Sequence, residues 1–484
     1  MLEQIVNSLV GVIWSDWLIY FLLASGIIYS FSLRFFQVRL IRDMVSLLVQ
    51  GESSRRGVSS FQALAMSISL RVGVGNIAGV ATAIGAGGPG AVFWMWALAT
   101  LGAGTSFVEC TMAQAYKQSI DGEYRSGPAY YMEHGMGSRI YALIFSACCV
   151  FVYGITAPGV QSNAIAASLK DTFHISPLAT GIFVTLGLGF IIFGGVKRIA
   201  RFSQTVVPFM AISYICMAVF IIALNISAVP EVLGLIFRSA FGADAVVGGI
   251  VGAAISWGVR RGIYSNEAGM GSAPHIAGAA EVSHPAKQGL VQAFSVYIDT
   301  LLVCTATAFM ILFTQAYNVA DGSGGFIVAH LPGTEAGPIF TIRAIETVFQ
   351  SFGSIFVSIA VLFFAFTTIM AFSYIGENNV VHLFRARNHK RALTIFRCVL
   401  LVSTFWGTFH TQALGWAIGD IGVGLLVWLN LVSLVFLTRK AMVILKDYEA
   451  QKAAGLDPVF DPRALGLEKM AFWNGERSHS RERG

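Results

Sequence analysis

The stretch SFQALAMSISLRVGVGNIAGVATAIGAGGPGAVFWM, residues 60–95, is an apolar helix with an interruption near its centre. Residues 61–70 are mostly apolar, which is enough to cross only half of a bilayer, and RVGVGN follows at residues 71–76. Arginine, asparagine and glycine are costly at membrane depth unless they line a cavity or are buried against protein. The stretch therefore predicts a discontinuous helix whose free carbonyl groups bind a small cation and whose free N–H groups bind a carboxylate. A glycine-mediated helix-packing face is the alternative.

The composition places this interruption in an integral membrane protein. The 484 residues are 55% hydrophobic and only 12% charged, with a mean hydropathy of +0.69, whereas a soluble domain carries about 25% charged residues. The net charge of +6 does not indicate a nucleic-acid partner, because lysine and arginine lie at the ends of apolar segments. Six cysteines are scattered through apolar segments without CxxC spacing, so they predict neither a metal site nor a disulfide framework.

Apolar runs of about twenty residues predict about eleven transmembrane helices. They lie near residues 14–33, 60–84, 89–116, 140–168, 177–195, 204–226, 246–275, 290–315, 345–376, 393–412 and 415–438. The basic residues between them fall mainly on one side: Arg34, Arg39, Arg42, Arg55, Arg56, Lys117, Arg125, Lys197, Arg198, Arg201, Arg385, Arg387, Lys390 and Arg391. Because cytoplasmic loops are enriched in lysine and arginine, this pattern predicts an external N-terminus and a cytoplasmic C-terminus.

An internal repeat organises the spans. Residues 75–79, GNIAG, resemble residues 265–269, SNEAG, and both interrupt an apolar segment that begins a block of five spans. Because five is odd, the second block is inverted relative to the first, and paired broken helices in inverted halves predict a substrate site near the bilayer midplane. We expect an all-α polytopic protein with a 5+5 inverted repeat and one extra N-terminal helix.

The predicted boundaries follow from this repeat. An extra helix and cytoplasmic loop occupy residues 1–57, the first repeat 58–228, the second 229–440, and a cytoplasmic tail 441–484.

The second interruption, RRGIYSNEAGMGSAP at residues 260–274, contains an acidic residue inside a membrane segment. Glu267 is a functional candidate for that reason, and the alternative is a structural ion pair with Arg260, Arg261 or Arg71. Ser265 offers a hydroxyl group, and Gly269 allows a ligand to approach the backbone.

Other polar residues within the spans are candidates for ion or substrate contacts. Thr367 and Thr368 are adjacent and cannot face the same way on a helix, so one hydroxyl group could complete an oxygen cage around Na⁺, or both could bond to their own helix. Gln161 could bind a carboxylate or amide, or join two helices. Four further acidic residues near or within the spans are interpreted as members of ion pairs that stabilise the helix bundle, and a proton relay is the alternative. They are Glu109, Asp299, Glu377 and Asp420.

The sequence contains no constellation that indicates an enzyme. The nine histidines have no metal-ligand spacing, no P-loop is present, and no serine or cysteine has a convincing histidine partner. An ion channel that uses the glycine interruptions as a filter is disfavoured, because channels form the pore by repeating subunits around an axis.

The chain resembles the alanine/glycine:cation symporter family of bacterial and archaeal amino-acid transporters over nearly its whole length. The motifs that carry the resemblance are VGVGNIAGVATAI and AGGPGAVFWMW within 72–96, GGVKRIARFSQTVVPFMAISY (194–214), YSNEAGMGSAP (264–274), HPAKQGLVQ (284–292), DTLLVCTATA (299–308) and DPVFDP (457–462). The resemblance implies a leucine-transporter-type fold whose second and seventh spans are the unwound pair.

The resemblance also implies site residues. It suggests that Na⁺ binds the carbonyl of Val72 with Thr367 and Thr368. The implied substrate-binding residues are Gly75, Asn76, Gln161, Gly262, Tyr264, Ser265, Gly269 and Phe372. In this assignment the substrate carboxylate lies near Gly75 and Asn76, and its ammonium group meets carbonyls around residues 262–265. Phe372 departs from the tryptophan typical of known alanine and glycine carriers, which leaves a roomier pocket. Arg71 and Glu267 are assigned as coupling or structural charges.

These expectations describe a sodium-coupled secondary active symporter that takes up a small neutral amino acid such as alanine or glycine by alternating access. A proton-coupled or glutamine-preferring carrier of the same fold is the alternative. The expected location is a bacterial or archaeal cytoplasmic (inner) membrane, with the protein as a multi-pass chain. Na⁺ is the co-transported ion, no organic cofactor and no nucleic acid are expected, and a monomer is expected to suffice for transport.

Overall fold

The computed structural model describes residues 2–49, 57–243, 250–385, 389–409, 412–467 and 469–476. The first half of the chain forms α1 (Leu2–Ile13), α2 (Asp16–Ser32), α3 (Phe36–Arg39), α4 (Ile41–Val49), α5 (Ser60–Arg71), α6 (Ala78–Gly87), α7 (Gly90–Ala115), α8 (Pro128–Tyr131), α9 (Arg139–Phe151), α10 (Ala157–Phe173), α11 (Pro177–Ile192) and α12 (Gly195–Leu224). The second half forms α13 (Val229–Ala240), α14 (Val251–Asn266), α15 (Ala273–Ala279), α16 (Pro285–Val296), α17 (Thr305–Phe313), α18 (Pro338–Glu346), α19 (Phe352–Leu383), α20 (His389–Gly407) and α21 (Gln412–Ala453).

Short elements complete the described chain. Two antiparallel hairpins pair β1 (Gln118–Ile120) with β2 (Glu123–Arg125) and β3 (Asn318–Ala320) with β4 (Phe326–Ala329). The 3-10 turns are Val74–Asn76 and Ile226–Ala228, and the π-helical segments are Met132–Met136, Val152–Thr156, Tyr297–Cys304 and Phe472–Glu476. The predicted all-α class is therefore confirmed, with two small hairpins that the apolar pattern did not indicate.

Both predicted helix interruptions are present. A capping box, in which Ser59 and Gln62 exchange side-chain and backbone hydrogen bonds of 3.1 Å, starts α5. The helix ends at Arg71, a 3-10 turn follows, and helical geometry resumes in α6. In the second interruption, α14 ends at Asn266 and α15 begins at Ala273.

Seven helices within the described ranges are long and apolar enough to cross a bilayer. They are Ser8–Ser32, Gly90–Ala115, Arg139–Phe173, Gly195–Leu224, Pro285–Phe313, Phe352–Leu383 and Ala417–Ala453. The predicted count of eleven is not confirmed, because each half of the two interrupted helices is shorter than a bilayer-spanning helix, α11 has only 16 residues, and α20 begins with a basic segment.

Some of the features predicted from the sequence involve residues outside the described ranges. Arg55, Arg56, Arg387 and the start of the predicted span 246–275 lie outside the described residues. The inverted relation between the two repeats stays a prediction. The proposed boundary at residue 440 falls inside α21, which runs for 42 residues.

The C-terminal segment packs on the loop between α15 and α16. Asp457, in the DPVFDP motif, forms an ion pair of 2.6 Å with Lys287. Ser283 donates a hydrogen bond to the carbonyl of Pro458 and accepts one from the N–H of Phe460. Trp473 donates to the carbonyl of Gln114 near the end of α7. These contacts fix the chain end against helices that lead to the second interruption.

Candidate functional site

The two interruptions contact each other at the centre of the protein. A Cβ atom built on Gly75 would lie 3.3 Å from the Tyr264 ring and 3.5 Å from Cα of Ser265, so only glycine lets the two segments approach without adjustment. A narrow cavity lies beside this contact. It is lined by Leu70, Arg71, Gly73, Gly75, Val152, Tyr153, Ala157, Gln161, Tyr264, Glu267, Met270, Thr368, Phe372 and Val423.

Seven of the predicted site residues line the cavity: Gly75, Gln161, Tyr264, Phe372, Thr368, Arg71 and Glu267. Six others lie outside its lining: Asn76, Gly262, Ser265, Gly269, Val72 and Thr367. Sequence reasoning did not select Tyr153, whose ring centroid lies 5.1 Å from that of Phe372. Its position on a π-helical segment gave no signal in the apolar pattern.

Polar side chains hold the first interruption from two neighbouring helices. Gln161 on α10 accepts a hydrogen bond of 3.3 Å from the N–H of Val74. Thr368 on α19 donates to the carbonyl of Ser69 at 2.9 Å and to its own helix at Phe364, at 2.8 Å. A Cβ atom on Gly73 would lie 2.8 Å from the Thr368 hydroxyl oxygen, so the close approach of α19 requires glycine there.

The two adjacent threonines separate as helical geometry requires. Thr367 hydrogen-bonds the carbonyls of Phe363 and Phe364 and lies 3.9 Å from the Met210 sulfur on α12. Thr368 alone of the pair lines the cavity. The Thr367 hydroxyl therefore bonds to carbonyls of its own helix. The Thr368 hydroxyl also contacts the carbonyl end of α5, next to the buried Val72.

Asn76 is part of the scaffold of the first interruption. Its side-chain oxygen accepts a hydrogen bond of 2.9 Å from the N–H of Gly73, and its amide donates to Asp299 at 2.6 Å. Asp299 also accepts hydrogen bonds from Ser265 at 2.9 Å and Thr300 at 2.8 Å. A single fully buried carboxylate, on the π-helical segment Tyr297–Cys304, thus joins the two interruptions.

Glu109 on α7 binds the backbone of the second interruption. Its carboxylate oxygens accept hydrogen bonds of 3.2 Å from the N–H groups of Gly269 and Gly271, and one of 2.8 Å from the Asn430 amide. Both glycines have positive φ values, +88° and +83°, which an L side chain rarely adopts. Gly269 therefore allows the backbone to turn between α14 and α15. Gly262 packs against Leu98 of α7 and does not face the cavity.

The arginines near Glu267 have other partners. Arg261 forms a two-contact ion pair of 3.3 Å with Asp420. Arg260 packs over the rings of Trp14 and Trp257. Within the described part of the chain, no ion pair is found between Glu267 and Arg260, Arg261 or Arg71, so the alternative of a structural ion pair is not supported there.

Arg71 is 1% exposed, and its guanidinium is bound only by neutral groups. It donates to the carbonyl of Gln292 at 2.9 Å, to the Ser295 hydroxyl and to the Ser106 hydroxyl at 3.0 Å. Among the residues that the structure describes, no carboxylate lies within 4.0 Å of it. The cavity is thus bordered by two buried ionisable side chains, Arg71 and Glu267, that form no ion pair with each other.

A larger cavity of about 500 Å³ lies farther along α10, between that helix and α18. Its lining includes Ala164, Asp171, Glu335, Arg343 and Glu346. None of the described residues that line it belongs to either interruption, so it is separate from the central cavity.

The chain is similar to several known proteins. YrbD of Bacillus subtilis (strain 168) is 56% identical over 482 residues, with 100% of each chain covered. The sodium/proton-dependent alanine carrier protein of Bacillus sp. (strain PS3) is 50% identical over 446 residues, covering 91% of this chain and 99% of that one. The solved structure of Mhp1, a nucleobase-cation-symport-1 family transporter, aligns with a TM-score of 0.45 and 15% identity, covering 88% of this chain and 85% of that one.

The family predicted from the motifs is confirmed by a family model that matches residues 1–462. The relatives in this family are carriers and symporters, in agreement with the prediction of a transporter and not an enzyme. The chain belongs to the sodium:alanine symporter family.

Proposed function

We propose that this protein takes up a small neutral amino acid by sodium-coupled symport, and that the central cavity binds the substrate. The observation that carries the proposal is the meeting of both helix interruptions at one cavity, with Gly75 against Tyr264 and Ser265. Interrupted helices expose free carbonyl and N–H groups that bind ions and carboxylates without covalent chemistry.

The cavity lining favours a short side chain. Val152, Tyr153, Ala157, Phe372 and Val423 provide an apolar wall, while Gln161 and Arg71 provide hydrogen-bond donors. A relative that is 50% identical is named as an alanine carrier. Alanine or glycine is therefore the first substrate to test, and a larger amide such as glutamine is the alternative.

We assign the coupling ion to the carbonyl end of α5. The Thr368 hydroxyl and the Ser69 carbonyl are 2.9 Å apart, with the Val72 residue beside them at the end of the helix. Hydroxyl and carbonyl oxygens are suitable ligands for a hard cation. One Na⁺ that moves down a tenfold gradient and a potential of about 100 mV releases about 3.7 kcal/mol, enough for a few-hundredfold accumulation of substrate.

The membrane assignment and the orientation are part of the proposal. The positive-inside pattern supports a cytoplasmic (inner) membrane with the N-terminus outside and the C-terminus in the cytoplasm. Because one chain supplies both interruptions and the whole cavity lining, a monomer is sufficient for transport in this proposal.

Proton coupling is a second candidate, because the relative from Bacillus sp. (strain PS3) is named as a sodium/proton-dependent carrier. A buried acidic residue in the cavity, Glu267, is the group on which that candidate depends.

The test is uptake of radiolabelled alanine into proteoliposomes that contain the purified full-length protein. We expect uptake with an inward Na⁺ gradient, inhibited by unlabelled alanine and glycine. Uptake that ignores Na⁺ and follows a proton gradient would contradict sodium coupling. Inhibition by glutamine but not by alanine would contradict the assignment of the substrate.

A further inference from the structure

We propose that Glu267 binds the ammonium group of the transported amino acid, an inference that rests on the proposed function of the cavity. The earlier assignment gave this role to backbone carbonyls of residues 262–265. Of these residues Tyr264 lines the cavity, whereas Gly262 packs against α7 and neither Gly262 nor Ser265 belongs to the lining.

The backbone of Glu267 is the first reason. Eight non-glycine residues in the described chain have positive φ, and seven of them are exposed. Glu267, with φ of +53°, is the buried one, and it follows the last residue of α14. This position after a helix normally holds glycine or asparagine, because other side chains are strained there. A glutamate kept in this conformation indicates a function for its side chain.

The environment of the carboxylate is the second reason. Glu267 is 5% exposed, and its Oε2 atom is buried without a hydrogen-bond partner in the described structure. A buried carboxylate oxygen without a donor is destabilising, since burial removes the hydration of the group. An ammonium group in the cavity would supply both the charge and the hydrogen-bond donors.

The other unpartnered atoms around the cavity complete the match. Arg71 Nε and the Tyr153 hydroxyl are also buried without partners in the described structure. Among the described residues of the lining, Glu267 is the one acid and Arg71 the one base. They lie more than 4.0 Å apart, since they form no ion pair. A zwitterionic amino acid carries one charge of each sign, which matches the one acid and the one base.

The test compares alanine with lactate, which has a hydroxyl group in place of the ammonium group. Ligand binding is measured by the thermal stabilisation of the purified full-length protein in the presence of Na⁺. A hydrogen bond to a charged group contributes about 1.5–3 kcal/mol, so we expect Glu267→Gln to weaken alanine binding by about 10- to 150-fold. Lactate binding should change much less, because lactate offers no positive charge to the carboxylate, so the preference for alanine over lactate collapses.

Two variants keep the result interpretable. Glu267→Asp retains the charge on a shorter side chain and should recover part of the preference for alanine. Glu377→Gln removes another buried acid, one that is paired with Arg397 at 2.7 Å away from the cavity, and should leave that preference as in the wild type.

Each outcome has a defined meaning. Wild-type alanine affinity in Glu267→Gln would overturn the inference, as would an equal loss of alanine and lactate binding. Wild-type protein that binds neither alanine nor another neutral amino acid would overturn the proposed function itself, independently of what Glu267 does.

Discussion

The two helix interruptions share a short motif, GNIAG at residues 75–79 and SNEAG at residues 265–269, but are held in different ways. Asn76 and Asn266 occupy matching positions, and each uses its side-chain oxygen to accept a backbone N–H group of its own segment. Each also donates its amide hydrogen to the same π-helical segment, Asn76 to Asp299 and Asn266 to Thr300. The shared asparagines are therefore scaffold residues, fixed by adjacent residues of one segment.

The remaining contacts differ in charge. The first interruption is held by the neutral side chains of Gln161 and Thr368, which leaves its carbonyl end suitable for a cation. The second is held by the Glu109 carboxylate and carries Glu267 into the cavity. In our proposal, one repeated motif serves two tasks: ion binding at the first interruption and recognition of a charged group at the second.

The largest expected effect comes from the residue that joins the two interruptions. Asp299→Ala removes the carboxylate that accepts from Asn76, Ser265 and Thr300, at a cost of about 1–3 kcal/mol for each buried group. The Asn76 amide and the Ser265 hydroxyl then keep only the Cys304 sulfur as a partner within the described structure. We expect uptake to fall at least about 100-fold, with a lower thermal unfolding midpoint. Asp299→Asn, which keeps one acceptor oxygen, should have a smaller effect on both measurements; equal effects of the two variants would show that the carboxylate does not organise the site.

A second prediction compares the matching asparagines directly. Asn76→Ala should abolish most uptake while the protein still folds, because the turn at Gly73 and the link to Asp299 are both lost. Asn266→Ala loses a hydrogen bond to the neutral Thr300 and should lower the free energy of unfolding less, by about 1 kcal/mol against about 1.5–3 kcal/mol for Asn76→Ala. Unchanged uptake by Asn76→Ala would show that this residue is not needed to organise the site.

A third prediction tests the cation assignment with adjacent residues. Thr368→Val keeps the side-chain shape but removes the hydroxyl that contacts the Ser69 carbonyl. We expect the Na⁺ concentration for half-maximal uptake to rise about tenfold, equivalent to about 1.4 kcal/mol. Thr367→Val, whose hydroxyl faces its own helix and Met210, is the matched control and should not change it. The same Na⁺ dependence in both variants would favour back-bonding as the role of both threonines.

The smallest effect concerns specificity. Phe372→Trp enlarges a ring that lines the cavity and packs against Tyr153. We expect inhibition by side chains larger than that of alanine to weaken by a few-fold, since one methylene in a pocket contributes about 1–3 kcal/mol. A competitor panel in the uptake assay measures this effect. An unchanged order of competitors would separate Phe372 from substrate selection.

The sequence was sufficient to predict the interruptions but not the contacts that hold them. Glycine, asparagine and charged residues inside apolar runs have few explanations in a bilayer, so residues 71–76 and 265–271 could be located directly. The role of Asp299 could not, because it lies more than 200 residues from Asn76 and depends on how α16 packs. The number of spans could not be predicted from hydrophobic length, because half-helices and helices with polar ends do not satisfy a length rule.

The most direct test of a shared site is the thermodynamic coupling between Na⁺ and alanine in the wild-type protein. Because coupling between binding sites is reciprocal, Na⁺ should raise the affinity for alanine by the same factor by which alanine raises the affinity for Na⁺. We predict a factor of at least about ten, which Thr368→Val should reach only at about tenfold higher Na⁺ and Thr367→Val at the wild-type Na⁺ concentration. An alanine affinity that is independent of Na⁺ in the wild type would contradict the conclusion that the two interruptions form one coupled site.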